Sequence, residues 1–456
     1  MCRRPEGMCT DDSVAICFPV VPRMEGLPFF KGGPVELEPQ ELIRVFRERA
    51  CGLDVHFSFV VACLIIPWKG KRLKILEAKF ETNLKGLRRL RDWLTEHGCE
   101  AVGMEATGVY WMPVYAALEG AGFELEVANP LQIKSLRGQK TDRKDARWIA
   151  EQVRHGRIKR SFVPPPEFRD ARKLARCRRQ LVQGRSTISN EIQRTLAESG
   201  ITLAAWVSDI LGVSGMAILE ALAEGRSIQD ELPHCLKTKL KQKLVPIAAA
   251  LEAPLGEVSR SILAMHLERL ENIQGHIDRV EGDLYKVLEP HADKIRLLET
   301  IPGLARISAA IIIAEIGVDM SAWPTEKHFS AWAGVAPGSR ETGGKAKRAP
   351  VRKGNPYLCT MLMECAAPAI RTKTCHLGPK YRKLSSQLGS KKKARMAIAH
   401  KLALIIYRNL AANAEYKEPA PKPMSKKVQA KIRQRRVAEL ERLGYKVTLE
   451  PIEPAS

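Results

Sequence analysis

Aromatic residues are scarce in this 456-residue chain, at 6%. Proteins that grip single strands by stacking bases need more, so stacking platforms do not dominate any nucleic-acid contact. Apolar runs long enough to span a bilayer are absent. The longest candidate, Ile307 to Ile316, falls well short of the roughly 18 residues a membrane helix needs. Arg3 and Arg4 lie near the start, but Asp11 and Asp12 interrupt any signal-peptide pattern. The 11 cysteines are an odd number with no Cys-x-x-Cys pair and no Cys/His finger spacing. That argues against a disulfide framework or structural zinc and for a reduced, cytoplasmic protein. Negative charge is also short. Against 74 Lys and Arg stand 51 Asp and Glu, a formal net charge of +23. Solubility needs much less, so the excess points to a polyanionic partner, nucleic acid before membrane.

A chain of this length can hold two or three domains. Residues 1–47, rich in Gly, Pro and Cys, read as an irregular extension. From residue 48 to 163, strand and helix signals alternate. Cys51 to Ile66 is a β-branched and aromatic strand signal, and Leu73 to Phe80 pairs with it as a hairpin or meander. A helix with Leu84, Leu87, Leu90 and Leu94 as its stripe follows, then a strand at Ala101–Glu105, a helix from Gly108, and a strand at Phe123–Ala128. This alternation predicts an α/β sheet. Pro164-Pro165-Pro166 marks a joint. Residues 164–292 carry only helical periodicity: a long basic helix over Glu167–Leu196 and a mixed-charge one over Glu257–Leu288, spaced as a coiled coil, a hairpin arm or a bundle. Residues 293–414 read as a mainly helical third region. There Pro302-Gly303 sits in a helix–turn–helix able to present backbone N–H groups to a phosphate, or in a plain structural turn. Residues 415–456 form a basic, Pro-rich flexible tail with one basic helix over Met424–Leu443.

Four carboxylates stand out. Asp54 interrupts an apolar strand, a costly place for an acid unless it is paired or bound to metal. Glu105 closes the strand Ala101–Met104, at the edge where α/β sheets place function. Asp142 and Asp145, three apart, share one face at the first turn of a helix, with Thr141 as its N-cap. Each position has a structural explanation, a salt bridge or a helix-start charge. Together, on so basic a chain, they form a metal site: four carboxylates can hold two Mg2+ ions roughly 4 Å apart, the arrangement that clamps attacking and leaving oxygens in phosphoryl transfer. Farther on, Gly338 to Asn355 reads as a Gly-rich basic loop able to wrap a phosphate, containing Arg340, Gly343, Gly344, Lys345, Arg348, Arg352 and Lys353.

The segments Gly-Leu-Asp54-Val-His, Val-Gly-Met-Glu105-Ala-Thr-Gly and Lys-Thr-Asp142-Arg-Lys-Asp145-Ala resemble the acidic tetrad of DEDD-type bacterial insertion-sequence transposases, kin of the pilin-gene inverting recombinases. The resemblance implies an RNase H-like (RuvC-like) N-terminal domain, with Asp54, Glu105, Asp142 and Asp145 as catalytic metal ligands. It continues through Pro302-Gly303, Phe329 to Gly338, Glu341 to Lys345 and Arg352 to Asn355, which look like the family's C-terminal domain. The family carries a serine nucleophile where this chain has Thr342, a hydroxyl with an added methyl and a stiffer χ1. Resemblance also implies a DNA transposase with Mg2+ as cofactor, element ends and target DNA as substrates, a structured guide RNA, homo-oligomeric assembly and a nucleoid-associated location in a bacterial cytoplasm. A junction endonuclease using water, and a nucleic-acid-binding relic, are the alternatives.

Overall fold

A computed structural model gives the fold and describes residues 45–69, 72–106, 108–130, 142–338, 340–347, 349–420 and 426–449. Most of the expected N-terminal extension, Thr141 and Arg348 lie outside the described residues. The chain divides into two compact units, Met1–Ser161 and Phe162–Ser456.

The first unit is built on strands β1 (Ala50–Val55), β2 (Phe59–Pro67), β3 (Leu73–Glu81), β4 (Ala101–Glu105) and β5 (Glu124–Ala128). With them are helices α1 (Leu84–Glu96), α2 (Trp111–Leu118) and α3 (Asp142–Arg154). The five strands form one sheet in the order β3-β2-β1-β4-β5. The first three run as an antiparallel meander, and β4 and β5 join parallel to β1. A meander extended by parallel strands in this order is the RNase H-like arrangement. Its interior strands read as near-continuous apolar runs because both faces are covered. The Cys51–Ile66 stretch is two strands rather than one. His56, Phe57 and Ser58 break the apolar run, and the His56 N–H donates to the Phe59 carbonyl at 2.9 Å to close the turn. Leu84, expected in the stripe of α1, is exposed at the helix's first position, whereas Leu87, Leu90 and Leu94 are buried. Buried Glu126 on β5 is ion-paired to Arg47 at 2.8 Å and Arg160 at 3.0 Å, tying both ends of the unit to the sheet edge.

The second unit is helical. Its helices are α4 (Pro166–Glu198), α5 (Val213–Ala223), α6 (Ile228–Cys235), α7 (Leu244–Ala250), α8 (Glu257–Val287), α9 (Ala292–Glu299), α10 (Arg306–Ile316) and α11 (Glu326–Trp332). Strands β6 (Arg340–Thr342) and β7 (Lys345–Lys347) follow, then α12 (Pro356–Arg371), α13 (Leu377–Leu388), α14 (Lys391–Ala412) and α15 (Lys426–Arg442). Helices α4 and α8 lie antiparallel. Arg178 meets Glu281 at 2.6 Å, Arg185 meets Gln274 at 2.8 Å and Glu191 meets Arg269 at 2.8 Å, the numbers rising on one helix as they fall on the other. The buried residues of α8, Leu263, Leu270, Ile277 and Leu284, recur every seven, the seam of a coiled-coil hairpin. One core gathers at the tip of this arm around Ile192, Ile218 and Ile247; the other surrounds α10 and α14. Helix α10 is buried on every side from Ala309 to Ile316, with Glu315 the one charged residue in that stretch. No helix among the described residues is long and apolar enough to cross a membrane.

Candidate active site

The four acids arrive by two routes. Strands β1 and β4 pair parallel with Leu53 opposite Met104, so one further step sets Asp54 beside Glu105 at the C-terminal edge. Side chains alternate along a strand, so Asp54 shares a face with Gly52, and Glu105 with Gly103. That face is covered by α3. A Cβ on Gly52 would lie 2.1 Å from the Ala146 carbonyl oxygen, and one on Gly103 would lie 2.3 Å from Val153 Cγ2. The helix therefore beds directly on the two glycines through Ala146, Ile149, Ala150 and Val153, all buried. Its first turn, holding Asp142 and Asp145, is thereby brought to the sheet edge that ends in Asp54.

Donor atoms of Asp54, His56 and Asp142 lie within 4.8 Å of one another. His56 Nε2 is 3.1 Å from Asp54 Oδ2 and 3.6 Å from Asp142 Oδ2. Glu105 and Asp145 are not among the donors of that cluster. Burial pushes the Asp54 carboxyl up from its ordinary value; His56 pulls the other way, and Asp142 and Asp145 add repulsion in the same sense as burial. The donor set fits a divalent cation. Carboxylates forced together against their own repulsion, half-buried at a sheet edge and open to solvent at Asp142, are what a hard cation relieves. His56 escaped the sequence reading. Its signal was its place two residues after Asp54, where a turn folds it back over the acid. Beside it, Phe57 is 79% exposed, its ring 5.7 Å from that of partly exposed Tyr110, so aromatic faces do flank the acids despite the low aromatic content.

The second candidate centre lies in the other unit. Within the expected Gly-rich loop, Arg340 to Lys347 form an antiparallel β-hairpin, in which Thr342 pairs with Lys345 across a two-residue turn, and residues 349–355 carry no regular structure. Gly343 and Gly344 have φ of 58° and 72°, the left-handed pair this turn type demands, which explains both glycines without a ligand. Thr342 is exposed, as are Arg352 and Lys353; Arg340 and Lys345 are placed by the backbone of β6 and β7. Gly303, with φ 93°, forms the turn between α9 and α10. A Cβ there would lie 2.5 Å from the Cys365 carbonyl oxygen, so close packing on α12 accounts for it. The same unit holds a buried ion cluster that no sequence pattern announces. Glu315 on α10, 1% exposed, meets Arg172 at 3.2 Å, Arg176 at 2.9 Å and the Asn355 side-chain amide at 2.8 Å. Burial lowers the Arg172 guanidinium to about 10. Asn355 also caps α12, accepting from the N–H groups of Tyr357 and Leu358.

Two family models match the chain. Residues 51–200 match the DEDD-type IS110 model, described as a transposase, and residues 295–382 match the transposase IS116/IS110/IS902 family. A probable family 20 transposase of Pseudomonas aeruginosa is 26% identical over 62% of this chain and 75% of its own length. The transposase for insertion sequence element IS1111A of Coxiella burnetii is 25% identical over 83% of this chain and 96% of its own. Among solved structures, Thermus thermophilus RuvC is 16% identical over 25% of this chain and 99% of its own, at a TM-score of 0.20. The RNase H-like assignment rests on the sheet order, not on that superposition. With both segments matched in the family's order, the chain resembles the DEDD-type insertion-sequence transposases over residues 51–200 and 295–382, and these matches support an enzyme that cleaves and rejoins DNA.

Proposed function

We propose that the chain is the Mg2+-dependent transposase of a bacterial insertion sequence, acting on element ends and target DNA under a structured guide RNA, as a homo-oligomer in the nucleoid-associated cytoplasm. The observation that carries the metal site is the bedding of α3 on Gly52 and Gly103, which gathers acids from two strands and a helix at one edge. Asp54, Glu105, Asp142 and Asp145 hold two Mg2+ ions. Bound there, Mg2+ supplies charge neutralisation at the attacking and leaving oxygens of the phosphodiester. Exposed Phe57 and Tyr110 offer faces to bases of the strand beside the acids. Thr342 supplies the nucleophile: its Oγ1 forms a bond to phosphorus, its proton passes to solvent, and the P–O bond to the departing DNA hydroxyl breaks. Arg340, Lys345, Arg348, Arg352 and Lys353 bind phosphates around it, with Gly343 and Gly344 supplying the tight turn that presents them. The net charge of +23 supports a polyanionic partner, and the guide RNA follows from the family resemblance.

The test is a covalent-adduct assay with element-end DNA, flanking RNA and Mg2+ on a denaturing gel. Wild type should give a protein–DNA band that Thr342→Ala and Asp54→Ala both lose, and Thr342→Ser should keep or strengthen it. Cleavage without a band, unaffected by Thr342→Ala, would transfer the reading to a water-using endonuclease. Binding without any product would leave a nucleic-acid-binding relic.

A further inference from the structure

We propose that His56 is a direct ligand of the metal ion in the acidic site, a nitrogen donor that makes the site favour Mn2+ over Mg2+. The inference rests on the metal-dependent reading above and asks which atoms of this chain complete the coordination.

Three observations converge on the imidazole. First, its Nε2 stands 3.1 Å from Asp54 Oδ2 and 3.6 Å from Asp142 Oδ2. Two donors about 2.1 Å from one ion lie ~3.0 Å apart at right angles and ~3.5 Å apart at the tetrahedral angle, so both separations suit ligands of a shared ion. Second, the backbone holds the ring there. His56 opens the β1–β2 turn with its N–H on the Phe59 carbonyl, and its ring packs 4.5 Å from that of Phe59. Third, among the described residues of the first unit, this is the one group of three ligand-type side chains whose donor atoms converge, and it includes the histidine in place of Glu105 or Asp145.

The consequence follows from donor chemistry. Mg2+ is a hard ion held by oxygen ligands, whereas affinity for sites with nitrogen donors rises along the first-row divalent metals from Mn2+ upward, so an imidazole favours Mn2+ over Mg2+ and the later metals more strongly still. A site with His56 in its shell therefore gains affinity for Mn2+ relative to a site of carboxylates alone.

The experiment uses the full chain loaded with Mn2+ and read by pulsed electron paramagnetic resonance, alongside calorimetric titration with Mn2+ and with Mg2+. Wild type should show the nitrogen coupling of a directly bound imidazole. His56→Asn and His56→Ala should both lose that coupling and weaken Mn2+ binding by roughly tenfold or more, with Mg2+ binding little changed. An unchanged thermal midpoint in both variants would confirm that the fold is intact. Mn2+ bound without nitrogen coupling, or a parallel loss of both metals, would overturn the inference and leave His56 as a hydrogen-bond partner of Asp54. Failure of wild type to bind either ion, with Asp54→Asn indistinguishable from it, would overturn the metal reading itself.

Discussion

Gly52 and Gly103 in the first unit, and Gly343 and Gly344 in the second, are glycine pairs beside a candidate chemical group, and they are needed for different reasons. The first pair lies under α3, where a methyl group would strike helix backbone or the Val153 side chain. The second pair has open space around each Cα and is needed only for its positive φ. The acids are thus positioned by core packing, and moving one requires moving a helix against a sheet. Thr342 is positioned by a two-residue turn on an exposed hairpin. The RNase H-like unit is built around a preformed acidic edge, whereas the hairpin presents its hydroxyl on a short ribbon that packing does not fix.

The sharpest way to break the comparison is at Asp54. Asp54→Asn should abolish strand cleavage and adduct formation while leaving the thermal midpoint unchanged or slightly raised. The sign follows from the direction of its shift. A carboxyl raised above its unfolded value favours folding while protonated and loses that contribution as pH rises through the folded value, so at neutral pH the ionised acid costs stability. An Asn variant that melts well below wild type would show Asp54 to be structural. In the second unit the largest effect is expected at Glu315, which no substrate needs to touch. Glu315→Ala leaves Arg172 and Arg176 without their buried partner and should destabilise that unit by about 3–5 kcal/mol in denaturant unfolding. It should also loosen Asn355, where the chain passes from the hairpin into α12.

The two glycine pairs separate by degree. Gly52→Ala inserts a Cβ 2.1 Å from the Ala146 carbonyl oxygen, so α3 must lift and carry Asp142 and Asp145 with it. The expected cost is about 3 kcal/mol, the upper part of the range for overpacking, with cleavage lost in proportion to the shift. Gly343→Ala meets open space and pays only for a left-handed backbone, roughly 1 kcal/mol confined to the hairpin. Global melting should hardly respond, and the adduct assay should respond more than the melt does. Equal effects of the two substitutions on melting would erase the distinction drawn between the units.

Much of the acidic site was legible in the sequence because its logic is local. Strand ends and helix starts announce themselves through apolar periodicity, and an acid at either place is conspicuous. The glycines two residues before Asp54 and Glu105 were equally visible, but their role needs the knowledge that one helix lies across both strands. His56 was hidden for a different reason: a long apolar run reads as one strand, and only the turn at residues 56–58 brings the ring back over Asp54. The hairpin inside the loop is hard to read from sequence because Gly343-Gly344 flanked by basic residues fits a phosphate cradle and a tight turn equally well. Glu315 was the least legible. Its partners Arg172 and Arg176 lie about 140 residues away in sequence, and no local pattern links them to an acid inside an Ala/Ile-rich helix.

The smallest effect concerns an acid that holds the first unit together and takes no part in its chemistry. Glu124 is held down to about 2, chiefly by its hydrogen bond from Arg47 and then by that from Arg160. A depressed carboxylate contributes stability that is fully present above its unfolded value of 4.5 and is lost as pH falls toward 2. Its neighbour Glu126 is shifted upward by burial, so the two do not titrate as one. Glu124→Gln should therefore flatten the fall of the unit's melting temperature between pH 4.5 and 2 without altering it at pH 7 beyond the loss of two ion pairs. Because Glu124 is 45% exposed, solvent screens much of the gain, and added salt should shrink the difference between variant and wild type further. Catalysis at neutral pH should be untouched, since Glu124 lies at the N-terminal end of β5, and Asp54 and Glu105 at the C-terminal ends of β1 and β4 with the first turn of α3 beside them. A cleavage defect in Glu124→Gln would mean that the sheet edge far from the acids also governs their placement, and the first unit would then be less rigid than the bedding of α3 implies.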